Sequence, residues 1–406
     1  MNYSKLAICT TAIGMLSGIA VAESGNSIID IDALQRQSKL EGWTFDVSNN
    51  PATEYDLADL TGLVEPKNWR QDGRFDEGNS DQRLVLPETY DWRNIDGENL
   101  CTPVRNQAGC GSCWAFAVLG SMESNVRIHD GVSTDLSEQW LVSCCGLGGC
   151  SGEWPGNAAN FLLESGAYTD VCGEYGSALE SDFPYQATDA SCVCTTEHPY
   201  TINDWAFIGP QWGTPTTDQL KEAIMEHGPI TVCVTANNAF QAYNGGVFNA
   251  CDTSPINHAV VLVGWDDSQG TNGVWFMKNQ WGTWWGEAGY MRIEYGCSNV
   301  GYGSLYLDYP TQNGSCCLND YCLYGPATAC DAVGGLFNGY GTHCEDVTCT
   351  EPCDGDITSD GLVDVLDLLE VIAQWGTSDS TADLNSDGVV DVTDLLVIVA
   401  SWGACQ

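Results

Sequence analysis

With 406 residues the chain exceeds one ordinary domain, and 43% hydrophobic residues with 15 Trp and 16 Tyr mark it as globular rather than disordered. Against 13 Lys and Arg stand 55 Asp and Glu, a formal charge of -42. Such a field excludes partners that bind through their own phosphates, nucleic acid and anionic membrane surfaces alike, and it attracts divalent cations.

The N-terminus reads as an export signal. Lys5, an apolar run over 6–21 and the Ala20-Val21-Ala22 site define a signal peptide over 1–22. An uncleaved anchor is the alternative, but the run is short for a bilayer, and no later stretch reaches the ~20 apolar residues of a spanning helix. Export predicts disulfides for most of the 21 Cys, Cys9 leaving with the signal. Residues 23–86 contain no Cys, show weak periodicity and stop just before Pro87. They read as a propeptide, with 42–69 (Trp43, Phe45 and the acidic stretch 55–60) extended along a cleft; a plain N-terminal extension is the alternative.

Residues 87–310 form the main domain. A helical pattern over 114–128 is followed by β-branched and aromatic runs at 230–234, 258–265, 274–278 and 289–293, bounded by Gly, Asn or Asp. Helices first and strands later predict an α+β fold in two lobes. Residues 311–352 are Gly-rich and hold Cys316, Cys317, Cys322, Cys330, Cys344 and Cys349. Three disulfides in place of a core are expected there, with unreadable connectivity and zinc as the alternative. Residues 353–406 contain a repeat: Asp356 to Asp367 matches Asp383 to Asp394 at a spacing of 27 residues, each copy leading into an apolar helix ending at Trp375-Gly376 or Trp402-Gly403.

The chemistry concentrates in Pro103-Val-Arg-Asn-Gln107-Ala-Gly-Cys110-Gly-Ser-Cys113-Trp-Ala-Phe116. Cys113 opens a helical pattern, where the positive end of the helix lowers a thiol pKa, and a neighbouring imidazolium lowers it further. Gln107, on the Gly-rich loop before it, can sit beside the Cys113 N–H and bind a developing oxyanion. His258 opens the apolar run Asn257-His258-Ala-Val-Val-Leu-Val-Gly-Trp265 and suits a general base and acid. Asn279, in Lys278-Asn279-Gln-Trp281, can accept from the second ring nitrogen and fix the tautomer, with Trp281 keeping water off that bond. A lone Cys in an exported protein is usually half a disulfide, and a lone His is usually structural. Cys113 and His258 occur instead in this order, 145 positions apart, with Asn279 beyond. That pattern is a known signature of catalytic cysteines.

At these residues the sequence resembles the papain family of cysteine peptidases, over 86–310. The resemblance implies a helical lobe carrying Cys113, a β-barrel lobe carrying His258 and Asn279, and a cleft for an extended peptide, with Gly152, Glu153, Asn257 and Trp281 as substrate-binding positions. It implies catalysis without a cofactor. It also implies the disulfides Cys110–Cys150, Cys144–Cys192 and Cys251–Cys297. Of Cys101, Cys145, Cys172, Cys194 and Cys233, two further bridges would leave one thiol, for which Cys233 is the candidate. The propeptide looks like the short cathepsin B type, yet the paired-His occluding loop has no counterpart, which favours endopeptidase action. Two positions depart from the family: Cys150-Ser-Gly152-Glu153 has Glu for the second Gly, which would narrow the cleft or favour basic substrates, and Gln280 stands where Ser is common.

Each repeat of the tail sets oxygen side chains at loop positions one, three, five, nine and twelve, with Gly at six: Asp356, Thr358, Asp360, Asp364 and Asp367, then Asp383, Asn385, Asp387, Asp391 and Asp394. Such a loop suits calcium. The pattern resembles dockerin modules, which implies two bound Ca2+ and a cohesin-type scaffold as partner; Cys353 and Cys405 could clasp the ends. The expectation is a secreted zymogen of a cysteine endopeptidase, inhibited by its own propeptide and attached to a cell surface or matrix through its tail. The rival is a catalytically inactive papain-like matrix or binding protein, against which the presence of Gln107, Cys113, His258 and Asn279 together counts.

Overall fold

The stretch Cys113–Asp130 is an 18-residue helix in which every residue from Cys113 to Val126 is buried. A helix covered on all sides has to be wrapped by other elements, and this one joins two cores. Trp114, Leu119, Met122 and Val126 pack with Trp140, Leu162, Phe183 and Leu305. Cys113 and Ala117 belong to a second cluster with Val232, Val260, Leu262, Phe240 and Trp285. The two lobes expected from the sequence are these clusters.

The computed structural model describes residues 28–78, 84–164, 167–194, 197–318, 321–345, 347, 349, 355–358, 362–378 and 381–404. The expected signal peptide, Asp360, Cys353 and Cys405 lie outside them. Among the described residues one sheet runs from Phe45–Val47 through Tyr243–Phe248, Tyr290–Glu294, Val274–Lys278, His258–Asp266, Ile230–Val234, Tyr302–Asp308 and Asp204–Ile208 to Phe75–Asp76. The four strands read from the sequence are all present, the last displaced by one residue. His258–Asp266 is buried over all but its last residue and packs on the long helix, which is why its sequence runs apolar without alternation. Both edge strands come from the segment before Pro87: Phe45 pairs antiparallel with Gly246, and Phe75 pairs parallel with Phe207.

That segment is less extended than expected. Asp30 caps the helix Ile31–Glu41, which Gly42 ends at a φ of 69°. Asn50 closes a capping box on the turn Pro51–Glu54, and Asp56 caps Leu57–Leu60. Asn and Asp at these positions satisfy free N–H groups at helix starts, so an acidic run that reads as extended forms short helices, and the chain pairs with the cleft walls over 62–64.

Cys110–Cys150, Cys144–Cys192 and Cys251–Cys297 form as expected. Of the two further bridges expected, only Cys172–Cys194 forms; Cys101 and Cys145 remain thiols beside Cys113 and Cys233. The reason is spatial: Cys101 lies in the core of the β lobe and Cys145 in that of the helical lobe.

Beyond Pro310, the strand Asn313–Leu318 pairs with Tyr321–Pro326 and Leu336–Tyr340. Cys316–Cys330, Cys317–Cys349 and Cys322–Cys344 hold this small sheet, so its six Cys serve as disulfides rather than zinc ligands. It is tied to the end of the long helix by Asp130, whose carboxylate accepts from Tyr309 Oη at 2.6 Å, Thr311 Oγ1 at 2.7 Å and Gln312 N at 2.9 Å. In the tail, the helices Val365–Ala373 and Val392–Ala400 enclose a core of Val363, Val371, Ala382, Val390 and Ile398. Leu362–Val363 pairs with Gly403–Ala404, closing the ends of the module together. No helix among the described residues is long and apolar enough to cross a membrane.

Burial pushes the Cys101 thiol up to about 12 and raises Cys145 as well. Neither should react in the native protein. Alkylation after denaturation, read by peptide mass spectrometry without reduction, should label Cys101, Cys113, Cys145 and Cys233; a Cys101–Cys145 bridge would contradict the two-core placement.

Candidate active site

The loop before Cys113 is fixed at several points. Gln107 N donates to Gln280 O at 2.9 Å, Tyr185 Oη donates to Gln107 O at 2.9 Å and meets Ser112 Oγ at 2.6 Å, and Cys110 is bridged to Cys150. Cys113 thereby starts the long helix with its sulfur facing the second lobe. The backbone N–H groups of Gly62, Ala259, Trp114 and Cys113 all point at it. Ala259 follows His258, so the first turn of the helix and the first residues of the central strand meet at this sulfur.

His258 is fully buried. Its Nε2 lies 2.9 Å from Asn279 Oδ1, and the Trp281 ring covers it at 4.8 Å between centroids. Its Nδ1 has no hydrogen-bond partner among the described residues, which leaves that nitrogen free for proton transfer. Gln107, also fully buried, donates from Nε2 to Cys110 O at 2.8 Å and to Leu60 O at 3.1 Å. The four residues chosen for catalysis are thus brought together.

What covers them was not legible in the sequence. Gly62 N donates to Cys113 Sγ at 3.3 Å. Around it the backbone pairs with both walls of the cleft: Glu153 N donates to Gly62 O at 2.9 Å, Val64 N to Glu153 O at 3.2 Å and Leu63 N to Asn257 O at 3.2 Å. Three glycines make this approach possible. A Cβ on Gly62 would overlap the Gly111 carbonyl, and one on Gly152, whose φ is 101°, would stand 2.6 Å from Gly62 O. The only sequence signal for Gly62 is a lone Gly between apolar residues in Leu60-Thr-Gly62-Leu63, which by itself indicates nothing.

The cover reverses the expected thiol chemistry. Burial pushes Cys113 up to about 11, although the four N–H groups oppose it. Burial likewise holds His258 down at about 4, partly offset by its bond to Asn279. Both groups are neutral here, so the ionised thiol expected from the helix terminus is suppressed while residues 60–64 exclude water.

Of the predicted substrate positions, Glu153 and Asn257 hold residues 62–64 through their backbones and Gly152 packs closely against Gly62, whereas Trp281 shields His258 instead. The Glu153 side chain does not enter the cleft. Its carboxylate accepts from Trp154 N at 2.8 Å, Asn157 Nδ2 at 2.9 Å and Gly148 N at 3.2 Å. The expected narrowing of the cleft is absent because these donors turn the carboxylate back into the wall.

In the tail, Asp364 and Asp391 cap their helices, and Asp367 and Asp394 are fully buried. In the second loop Asp387 N donates to Asn385 Oδ1 at 2.8 Å and Gly388 N to Asp383 Oδ2 at 2.8 Å, while Asn385 N donates to Asp394 Oδ1 at 3.2 Å. Asp383, Asn385 and Asp394 therefore turn their oxygens into one loop. In the first loop Thr358 N donates to Asp367 Oδ1 at 2.9 Å. An all-oxygen donor set curled about a Gly at position six fits a hard cation.

A model of papain family cysteine proteases matches residues 86–306, more than half of the chain. The chain belongs to the papain family of cysteine proteases. Residues 354–400 match the dockerin type I domain. This papain-family chain is 35% identical to oryzain beta chain of Oryza sativa subsp. japonica over 241 residues, 57% of its own length and 47% of the relative's. It is 32% identical to fruit bromelain of Ananas comosus over 247 residues, 60% of its length and 64% of the relative's. It thus spans about half to two thirds of the length of these curated relatives. It superposes on digestive procathepsin L2 proteinase from Tenebrio molitor larval midgut with a TM-score of 0.59 at 26% identity, over 68% of this chain and 88% of that one. That neighbour is a procathepsin of the L type, whereas the sequence alone suggests the B type.

The closed papain-family cleft is sensitive to one methyl group. Gly62→Ala drives a Cβ into the Gly111 backbone, a clash of about 1–3 kcal/mol, and should raise labelling of Cys113 in the unprocessed chain by the epoxide E-64 at pH 7 by roughly tenfold or more; equal labelling rates would refute the backbone contact.

Proposed function

We propose that this chain is the precursor of a secreted cysteine endopeptidase whose segment over 23–86 is an inhibitory propeptide and whose tail binds two calcium ions and docks on a cohesin-type scaffold. The observation that carries the peptidase reading is the convergence of Cys113, Gln107, His258 and Asn279 in a cleft plugged by the Gly62 backbone.

Removal of the propeptide returns water and lets the Cys113 proton pass to His258 Nδ1, giving a thiolate and an imidazolium. The sulfur attacks the carbonyl carbon of a bound peptide. The Cys113 N–H and Gln107 Nε2, which donates to the Leu60 carbonyl in the precursor, stabilise the oxyanion. The C–N bond breaks as Nδ1–H protonates the leaving amine, and a thioester remains. Water then attacks the thioester with Nδ1 accepting its proton, the acid leaves, and the ion pair is restored. Asn279 holds the ring throughout through Nε2.

For the tail, the oxygen donors converging around Asp383–Asp394 support calcium binding; the ion would tie loop and helix together. Val365, Leu369 and Ile372 of the first helix, and Val392, Leu396 and Val399 of the second, are about half exposed and repeat at the same spacing as the loops. That paired apolar face supports docking on a scaffold. Export rests on the reading of residues 1–22.

Purified processed protein should cleave casein and a peptidyl-coumarin substrate, and Cys113→Ala should lower the rate by at least about 10^4-fold; equal rates for the two proteins would sink the peptidase reading. Chelation should lower the thermal midpoint of the tail by several degrees, on the order of 1 kcal/mol or more, while coumarin release stays unchanged. A tail indifferent to chelator would remove calcium from the account.

A further inference from the structure

Gln280 follows Asn279 and is almost fully buried beside His258. Its Nε2 donates to Ala259 O at 2.8 Å and lies 3.5 Å from His258 Nε2. The orientation of this amide is not arbitrary: Ala259 O needs a donor, so nitrogen rather than oxygen faces the ring. Asn279 Oδ1 meanwhile accepts both from His258 Nε2 and from Gln280 N at 3.0 Å. His258 Nε2 thus meets one acceptor, Asn279, and one donor, Gln280.

The two amides act in opposite directions. An acceptor at Nε2 favours a protonated nitrogen. A second amide nitrogen 3.5 Å from the same ring nitrogen, a donor and not an acceptor, offers an imidazolium no partner and sets the positive end of its dipole near it, which disfavours the charge. We propose that Gln280 is a positioning residue that lowers the proton affinity of His258 and so sets the alkaline end of the pH range in which the Cys113–His258 pair is charged. This deepens the peptidase reading and rests on it.

Few other charges compete. Cys113 is the titratable group that faces His258 from the long helix, and the Trp281 and Phe240 rings cover the imidazole from the other elements. Lys278, Arg105, Glu123 and Glu138 line a small cavity behind Asn279 and Gln280. They face the amides, not the ring, so the carboxamide of Gln280 is the adjustable dipole nearest Nε2.

The test uses the full chain after removal of its propeptide. The second-order rate of E-64 inactivation and kcat/KM for a peptidyl-coumarin are measured from pH 4 to 10 for the wild type, Gln280→Met and Gln280→Glu. Gln280→Met removes the donor at similar volume and should move the alkaline limb of both profiles upward by about half to one pH unit. Gln280→Glu puts a carboxylate beside the imidazolium and should move it further, with KM little changed in both. Limbs that stay in place, or a loss of kcat with no shift, would overturn the proposal and leave Gln280 a packing residue. If Gln280→Glu fails to fold, Gln280→Met decides alone. A wild type that never reacts with E-64 would instead refute the peptidase reading, so the two failures are told apart.

Discussion

The amide of Gly62 resting on the sulfur of Cys113 is the contact on which the rest of this structure turns. It exists because three glycines, Gly62, Gly111 and Gly152, let two lengths of backbone approach more closely than any side chain would permit. The consequence is electrostatic as much as steric. Water that would solvate a thiolate and an imidazolium is displaced, and both groups are neutral in a site otherwise arranged to charge them.

The groups in the cleft come from several elements, and a single helix joins the two cores that hold them. Cys113 begins it, the two cores grip its two sides, and Asp130 at its far end anchors the disulfide module. The antiparallel pairing of His258–Asp266 with Val274–Lys278 sets Asn279 and Gln280 beside the imidazole. A constellation built this way depends on long-range packing, so its geometry is set by the whole two-lobed body rather than by any one loop.

Much of this was legible in the sequence, because the signals were periodic or chemically unusual. The strand His258–Asp266 announces itself by an uninterrupted apolar run, and the loop–helix repeats of the tail by spaced oxygens before apolar helices. Features that depend on direction rather than on residue type were not legible. Glu153 reads as a carboxylate in the cleft, yet three nearby N–H donors turn it inward. Cys101 and Cys145 count among the residues of two further expected bridges, yet they sit in opposite cores and stay thiols. Gly62 carries no side chain to advertise its place, and Asn50 and Asp56 act as helix caps in a stretch whose acidity suggests an extended chain.

The flanks of the large sheet hold one more consequence. Phe45–Val47 and Phe75–Asp76 close its two sides, and both belong to the segment that processing would discard. Maturation would therefore strip two rows of main-chain partners at once, from Tyr243–Phe248 and from Asp204–Ile208. Unsatisfied flanks of this kind invite other extended chains to add on, including neighbouring copies of the same enzyme. Beyond residue 86 the chain still has 42 Asp and Glu against 6 Lys and Arg, a surplus that would keep such copies apart, so the acidity of the chain would also protect it against clumping once that segment is lost.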